Sequence, residues 1–226
     1  MGNDWARGLV RIGRQPSIYY GFVRKAGGRG FKSLRARHSN LGSKVAGQMQ
    51  KRAEGRAYRI VEVNEANFDD YGVFCLKSKK NTEGYVNKAK WMRDRFKEGL
   101  RTRLLLVKEK HDLTSRGFIE YIPGEYAWRG IDAKGYMVIH CIWVVGRNRG
   151  HGYGTELLRQ CEGDAQGMNG AAVVTSDKHW LPSSELFLRH GFEKADTMPP
   201  YFELLAKRFS KDAPLPRFNP IPIQKL

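Results

Sequence analysis

Alternation of apolar and polar residues starts late in this chain. Before residue 57 there is no sustained periodicity, and the first segment with strand alternation, AYRIVEVN, predicts a strand over Tyr58–Val63. Asn64 is placed to cap a helix over Phe68–Leu76, where Phe68, Tyr71, Phe74 and Cys75 fall at helical spacing. A second helix is predicted over Gly84–Phe96, with Tyr85, Ala89, Met92 and Phe96 at steps of three or four. Strands follow at Arg103–Val107 and Phe118–Ile122, the latter ended by Pro123 and Gly124. GEYAWRGIDAKG (124–135) reads as an exposed connection, and YMVIHCIWVV (136–145) is apolar throughout, as befits a central strand covered on both faces. A helix from about Tyr153 to Ala165, a strand Ala171–Thr175 and a helix Ser183–His190 stopped by Gly191 come next. The last strands are Phe192–Ala195 and Tyr201–Ala206. The tail DAPLPRFNPIPIQKL carries four prolines and is expected to form no regular element.

This order, β α α β β β α β α β β, predicts a mixed α/β fold with a mostly antiparallel central sheet flanked by helices. The strands around Phe118 and Ile139 are expected as antiparallel neighbours. The strand–helix–strand unit from Ile139 to Val173 is expected as a right-handed parallel crossover.

Charge divides the chain further. Residues 1–56 hold 13 lysines and arginines against 2 acids, and the remaining 170 residues hold 27 against 21, so most of the +17 excess sits in one quarter of the sequence. That quarter also holds ten glycines. Three readings of it stand side by side: a basic arm for nucleic acid, an organellar transit segment, or sequence upstream of a native start at Met49. The domain reading is a flexible segment 1–56, a folded domain 57–209 and a proline-rich tail 210–226. No apolar run approaches the roughly 18–20 residues that span a bilayer. Three widely spaced cysteines give neither a disulfide framework nor a zinc pattern. These features are expected of a cytoplasmic protein without membrane or metal. The edge strands leave a homodimer open.

The chemistry concentrates in CIWVVGRNRGHGYGTELL (141–158). A helix N-terminus presents unpaired N–H groups and the positive end of its dipole, and glycines before it let the backbone approach an anion. Gly150, Gly152 and Gly154 stand at such a junction beside Arg147 and Arg149, so a phosphate or pyrophosphate is the natural guest. A nucleotide P-loop would need a lysine that is absent, and a dinucleotide fingerprint would need G-x-G-x-x-G in a first βα turn.

Arg149-x-x-Gly152-x-Gly154, five residues after Val144, resembles the R/Q-x-x-G-x-G/A signature of the GNAT N-acetyltransferase superfamily. LFLRHGF (186–192) is similar to that family's LYEKLGF. GYMVIHCIWVVGRNRGHGYG and PPYFELLAKRF resemble the YoaP-type subgroup, whose members often carry a further C-terminal module that this chain would lack. The resemblance covers about Tyr58–Phe209. It implies the acyl-CoA N-acyltransferase fold and acetyl-CoA as cosubstrate, held where the central strand splays from its parallel neighbour. Backbone groups of Ile142, Trp143 and Val144 would meet the pantetheine arm and the thioester, and N–H groups from Arg149, Gly150, His151, Gly152, Tyr153, Gly154 and Thr155 would meet the pyrophosphate.

The resemblance also implies catalytic roles. His140, four residues before Val144, matches the position of a base histidine in some members, and an imidazole suits that role at neutral pH; a buried core histidine is the alternative. Val138 stands where other members place a glutamate base. The family's acid tyrosine is replaced by Phe187, which can pack against pantetheine but cannot donate a proton. Either Tyr136, Tyr153, Tyr201, Ser184 or Cys141 is the donor or the thiolate leaves unaided; Cys141 falls on the face opposite His140 if the strand is regular. Glu120 and Glu125 read as surface carboxylates, with attraction of a cationic acceptor as the other reading. Trp128, Trp180 and the Pro199-Pro200 pair are candidates for lining the acceptor side. The partner expected is a small-molecule or peptide amine. The rival readings are a CoA-binding module without turnover and a nucleic-acid-binding protein acting through residues 1–56.

Overall fold

The structure, a computed structural model, describes residues 50–51, 57–178 and 181–220. The basic segment up to residue 49, Met49 included, and Trp180 lie outside the described residues.

Among the described residues the strands are β1 (Gln50–Lys51), β2 (Ala57–Val63), β3 (Arg101–Glu109), β4 (Asp112–Pro123), β5 (Ile131–Asp132), β6 (Tyr136–Val144), β7 (Gly170–Ser176), β8 (Glu193–Met198), β9 (Phe202–Arg208) and β10 (Arg217–Phe218). The helices are α1 (Phe68–Tyr71), α2 (Glu83–Phe96), α3 (Tyr153–Asp164) and α4 (Glu185–Leu188). Eight strands make one sheet in the order β1-β2-β3-β4-β6-β7-β9-β8, and β10 pairs with β5 apart from it. Every pair is antiparallel except β6–β7, where Ile139 stands in register with Val173. The parallel strand–helix–strand unit is therefore present, with α3 as its helix.

Two helical layers hold the sheet. On one face, α3 buries Tyr153, Leu157, Leu158 and Cys161 against Leu105, Ile119 and Ile139, each large side chain contributing about 1.5–3 kcal/mol of burial. On the other face, α2 and the segment before it cover the β2–β3–β4 half, with Phe68, Phe74 and Met92 against Leu104, Phe118 and Ile122. α2 starts at Thr82, whose hydroxyl accepts from the Tyr85 N–H at 3.4 Å.

Three expectations change. The single helix over Phe68–Leu76 is two pieces, α1 and a 3-10 turn Phe74–Lys79, separated by Gly72 at φ +62° and an extended Val73. A side chain at Gly72 would also collide with the Tyr85 hydroxyl, so apolar spacing continued where the backbone could not. The connection 124–135 is not simply exposed: Ile131 and Ala133 are buried and β5 lies within it. The tail does form structure, because Arg217 and Phe218 pair with Asp132 and Ile131 as an edge ribbon, a setting that tolerates neighbouring prolines.

Candidate functional site

β6 runs between β4 and β7, but not for its whole length. Its parallel register with β7 covers Tyr136–Ile139 against Gly170–Val173 and stops there, while pairing with β4 continues through Val144. Exposure follows: Tyr136–His140 are buried and Cys141–Val144 are partly open. The sheet thus splays after Ile139. The Val145 N–H donates to the Arg116 carbonyl at 2.8 Å on the β4 side. By strand alternation the N–H groups of Val144 and Ile142 then point into the gap that β7 has left.

The glycine loop lies at the mouth of this gap. A 3-10 turn, Gly146–Asn148, leads out of β6, and Gly150 and Gly152 follow at φ +78° and +69°. Gly152 is the N-cap of α3 in the left-handed region, where a side chain is disfavoured and no capping oxygen competes with an external anion. Gly154 is different: a methyl there would meet Leu186 at 3.5 Å, an ordinary contact. Thr155 Oγ1 lies 2.9 Å from His190 Nε2, joining the first turn of α3 to the LFLRHGF segment. Asn148 is wholly buried, and neither polar atom of its side chain has a partner among the described residues.

The two arginines are less free than the sequence suggested. The Arg149 N–H is committed to the Gly146 carbonyl at 3.1 Å, and its Nε donates to the Val144 carbonyl at 3.2 Å, so Arg149 borders the gap through its side chain. Arg147 donates to Glu109 at 3.0 Å, a carboxylate that also binds the buried Arg116. Both guanidinium groups are thus engaged within the chain.

His140 sits on the opposite face from α3, and a bulge puts it there. Register passes from Glu120↔Cys141 to Tyr121↔Ile139, leaving His140 as the extra residue of β6. His140 and Cys141 consequently turn to the same side of the sheet, which corrects the expectation of opposite faces. The imidazole is 1 % exposed, and neither ring nitrogen has a hydrogen-bond partner among the described residues. The Trp128 ring stacks on it at 3.5 Å and 10°, Trp91 meets Trp128 edge-on at 4.3 Å, and Arg129 Nη2 donates to the His140 carbonyl at 2.8 Å. Burial, then Arg129, then Lys88 push the imidazole well below its ordinary range, so it is neutral at physiological pH. Burial likewise pushes the Cys141 thiol up to about 12, which makes it a thiol rather than a nucleophile.

Glu120 is not a surface carboxylate. It is 2 % exposed and paired with the buried Lys88 at 2.9 Å, and that ammonium lies 3.8 Å from the Trp91 ring centroid. Sequence reading missed Lys88 and Trp91. The available signal was a lysine inside the apolar stripe Tyr85, Ala89, Met92 of α2, a position that requires a buried counter-charge.

Of the other candidates, Phe187 is fully buried, edge-on to Phe192 at 5.4 Å, and offers no surface to a ligand. Tyr153 is also buried, and the Tyr136 hydroxyl donates to the Pro214 carbonyl at 2.7 Å. Glu125 is exposed and accepts from the Gly135 N–H at 2.9 Å. Tyr201 and the cis Pro199-Pro200 pair lie in the exposed β8–β9 connection.

α3 is pinned at its far end. Asp164 accepts from Arg103 at 2.6 Å and from the Tyr121 hydroxyl at 2.5 Å, and Arg103 also reaches Glu62 at 2.7 Å. Burial alone would raise the Asp164 carboxyl, but the hydrogen bonds from Arg103 and Tyr121 outweigh it and hold it below the ordinary carboxylate range. A depressed carboxyl adds stability above its unfolded pKa of about 3.9, lost as pH falls through the folded value. Asp164→Asn is therefore expected to lower stability by about 1–3 kcal/mol at pH 7, with the difference from wild type vanishing in acid, as followed by urea unfolding at stepped pH.

Comparison with known proteins identifies the family. Residues 73–192 match the family model described as the acetyltransferase (GNAT) family. The chain is 34% identical over 164 residues to YoaP, an uncharacterized N-acetyltransferase of Bacillus subtilis strain 168, covering 70% of this chain and 63% of YoaP. It thus spans less than two thirds of that relative's length. Among solved structures it is similar to an acetyltransferase from Thermus thermophilus, at 13% identity and a TM-score of 0.47 over 67% of this chain and 97% of that one. It is similar also to the PaiA N-acetyltransferase of Thermoplasma acidophilum in complex with coenzyme A, at 13% identity and a TM-score of 0.44 over 67% and 99%. With the family model spanning the splayed strand, the glycine-capped helix and the LFLRHGF segment together, the chain belongs to the acetyltransferase (GNAT) family.

Proposed function

We propose that this protein transfers an acetyl group from acetyl-CoA to a primary amine of a small molecule or peptide. The observation that carries the reading is the splay of β6 from β7 after Ile139, with the Ile142 and Val144 N–H groups directed into the gap and the α3 N-terminus at its mouth. Main-chain groups of Ile142–Val144 would hold the pantetheine arm as a surrogate strand, and the Val144 N–H would stabilise the oxyanion as the amine attacks the thioester. The backbone from Gly150 to Thr155 would hold the pyrophosphate. Trp143 lies on the other face, edge-on to Phe74 at 6.1 Å, so it contributes backbone rather than side chain.

His140 is the proposed proton acceptor. Its neutral state is correct for a base, and its two nitrogens lack partners among the described residues. With Phe187 buried and without a hydroxyl, no side chain is assigned to protonate the leaving thiolate, which departs unaided. A panel of primary amines with thiol detection of released CoA tests the reading. His140→Gln is expected to lower kcat/KM about a hundredfold. The wild-type acid limb should lie below the ordinary imidazole pKa of about 6.5 and should be absent in the variant. Tight acetyl-CoA binding with no CoA release from any amine would favour the binding module without turnover.

A further inference from the structure

The second face of the sheet is closed in two different ways. Helix α2 covers β2–β4, but the patch formed by Val138, Ala172, Val174 and Leu204 is covered by the 124–135 connection and the tail, with Ile131, Ala133, Ala213 and Phe218 packed on it. His140 lies at the seam between these halves.

The tail reaches the connection through specific bonds. β10 pairs with β5, and the Asn219 N–H donates to the Gly130 carbonyl at 2.9 Å. The Phe218 N–H donates to Asp196 Oδ2 of β8 at 2.8 Å, and the Tyr136 hydroxyl holds the Pro214 carbonyl at 2.7 Å. Gly130 is the next residue after Arg129, which grips the His140 carbonyl, and Arg129 follows Trp128, which covers the His140 ring.

We propose that the C-terminal strand β10 is a latch for the acceptor side of the site: it fixes the connection that holds Trp128 on the His140 ring and Arg129 on the bulged His140 carbonyl. Asp196, Phe218 and Asn219 are then positioning residues for the base. This rests on His140 being the proton acceptor, as proposed above. The Asp196 carboxyl is held below its ordinary range first by the Phe218 N–H and then by that of Thr197, in keeping with a formed anchor. A ribbon of two residue pairs is weak by itself. It can open while the eight-stranded sheet stays intact, which would let an acceptor reach nitrogens that are otherwise sealed.

The test uses the full chain with carbon-13-labelled histidine, comparing wild type, Asp196→Ala and Asn219→Pro. His140→Gln assigns the His140 signals among the six histidines. In wild type the His140 ring protons should be displaced upfield by the Trp128 ring current. In both variants they should move toward ordinary positions, and carbethoxylation of His140 by diethyl pyrocarbonate should quicken about tenfold relative to exposed His111. Acetyl-CoA affinity should stay within about twofold, and for an active amine the acid limb should shift toward the ordinary imidazole range. Unchanged His140 signals and unchanged protection in both variants would overturn the latch. So would a parallel loss of acetyl-CoA binding, which marks general destabilisation. The ring-current and carbethoxylation readouts need no turnover, so failure of the acetyl-transfer reading would be seen separately, as absent CoA release with the latch intact.

Discussion

Gly152→Glu is expected to weaken acetyl-CoA binding by at least about a thousandfold, roughly 4 kcal/mol. Two effects act together. Gly152 is the N-cap of α3 at φ +69°, a backbone state that costs an ordinary residue about 1 kcal/mol or more, so the turn itself would distort. The added carboxylate would also occupy the anion position at the helix N-terminus and satisfy the dipole internally. Calorimetry on wild type and variant reads the effect. Gly154→Ala serves as the control, because a methyl there meets Leu186 at an ordinary 3.5 Å and should leave affinity nearly unchanged. Equal losses in both would mean that the loop acts through packing and not through anion contact.

Lys88→Met is expected to destabilise the fold by about 3–5 kcal/mol. The Lys88–Glu120 pair is buried at both ends, with side chains 5% and 3% exposed. Removing the ammonium, which lies over the Trp91 and Trp128 rings, leaves the buried Glu120 carboxylate with its counter-charge gone. Since the penalty belongs to the orphaned charge and not to the lost attraction, Lys88→Met with Glu120→Leu should recover most of the stability. Thermal or urea unfolding of the four-member cycle checks this. A double variant as unstable as the single one would show that the two side chains serve mainly by shape.

Much of this arrangement was legible in the sequence because local rules and the long-range fold agreed. Apolar continuity of Tyr136–Val145, a glycine-rich junction and an amphipathic helix specify a strand–turn–helix unit, and the register places Ile139 beside Val173 as the crossover reading required. What was not legible depended on single backbone events. Periodicity carried a helix through Gly72, since pattern reads side-chain spacing and not the φ of one residue. The bulge at His140 has no signature in an apolar run, yet it decides which face His140 and Cys141 share. Glu120 read as a surface group because its partner, Lys88, is 32 residues away in sequence. The prolines of the tail argue against a regular element, yet Arg217 and Phe218 sit between them and pair.

Acidification offers a further check on His140. A histidine whose folded pKa is depressed supports stability above its unfolded value of about 6.5, and that support is lost as pH falls toward the folded value. The melting temperature should drop between pH 7 and pH 5 more steeply in wild type than in His140→Gln.

The most direct test of the account is amide hydrogen exchange with and without acetyl-CoA. If the splay of β6 from β7 is the cosubstrate site, saturating acetyl-CoA should slow exchange in peptides spanning 141–145 and 149–156, while β2 and β3 exchange as before. Binding without protection in those two segments would contradict the account, because acetyl-CoA would then be held somewhere other than the gap beside Ile142 and Val144.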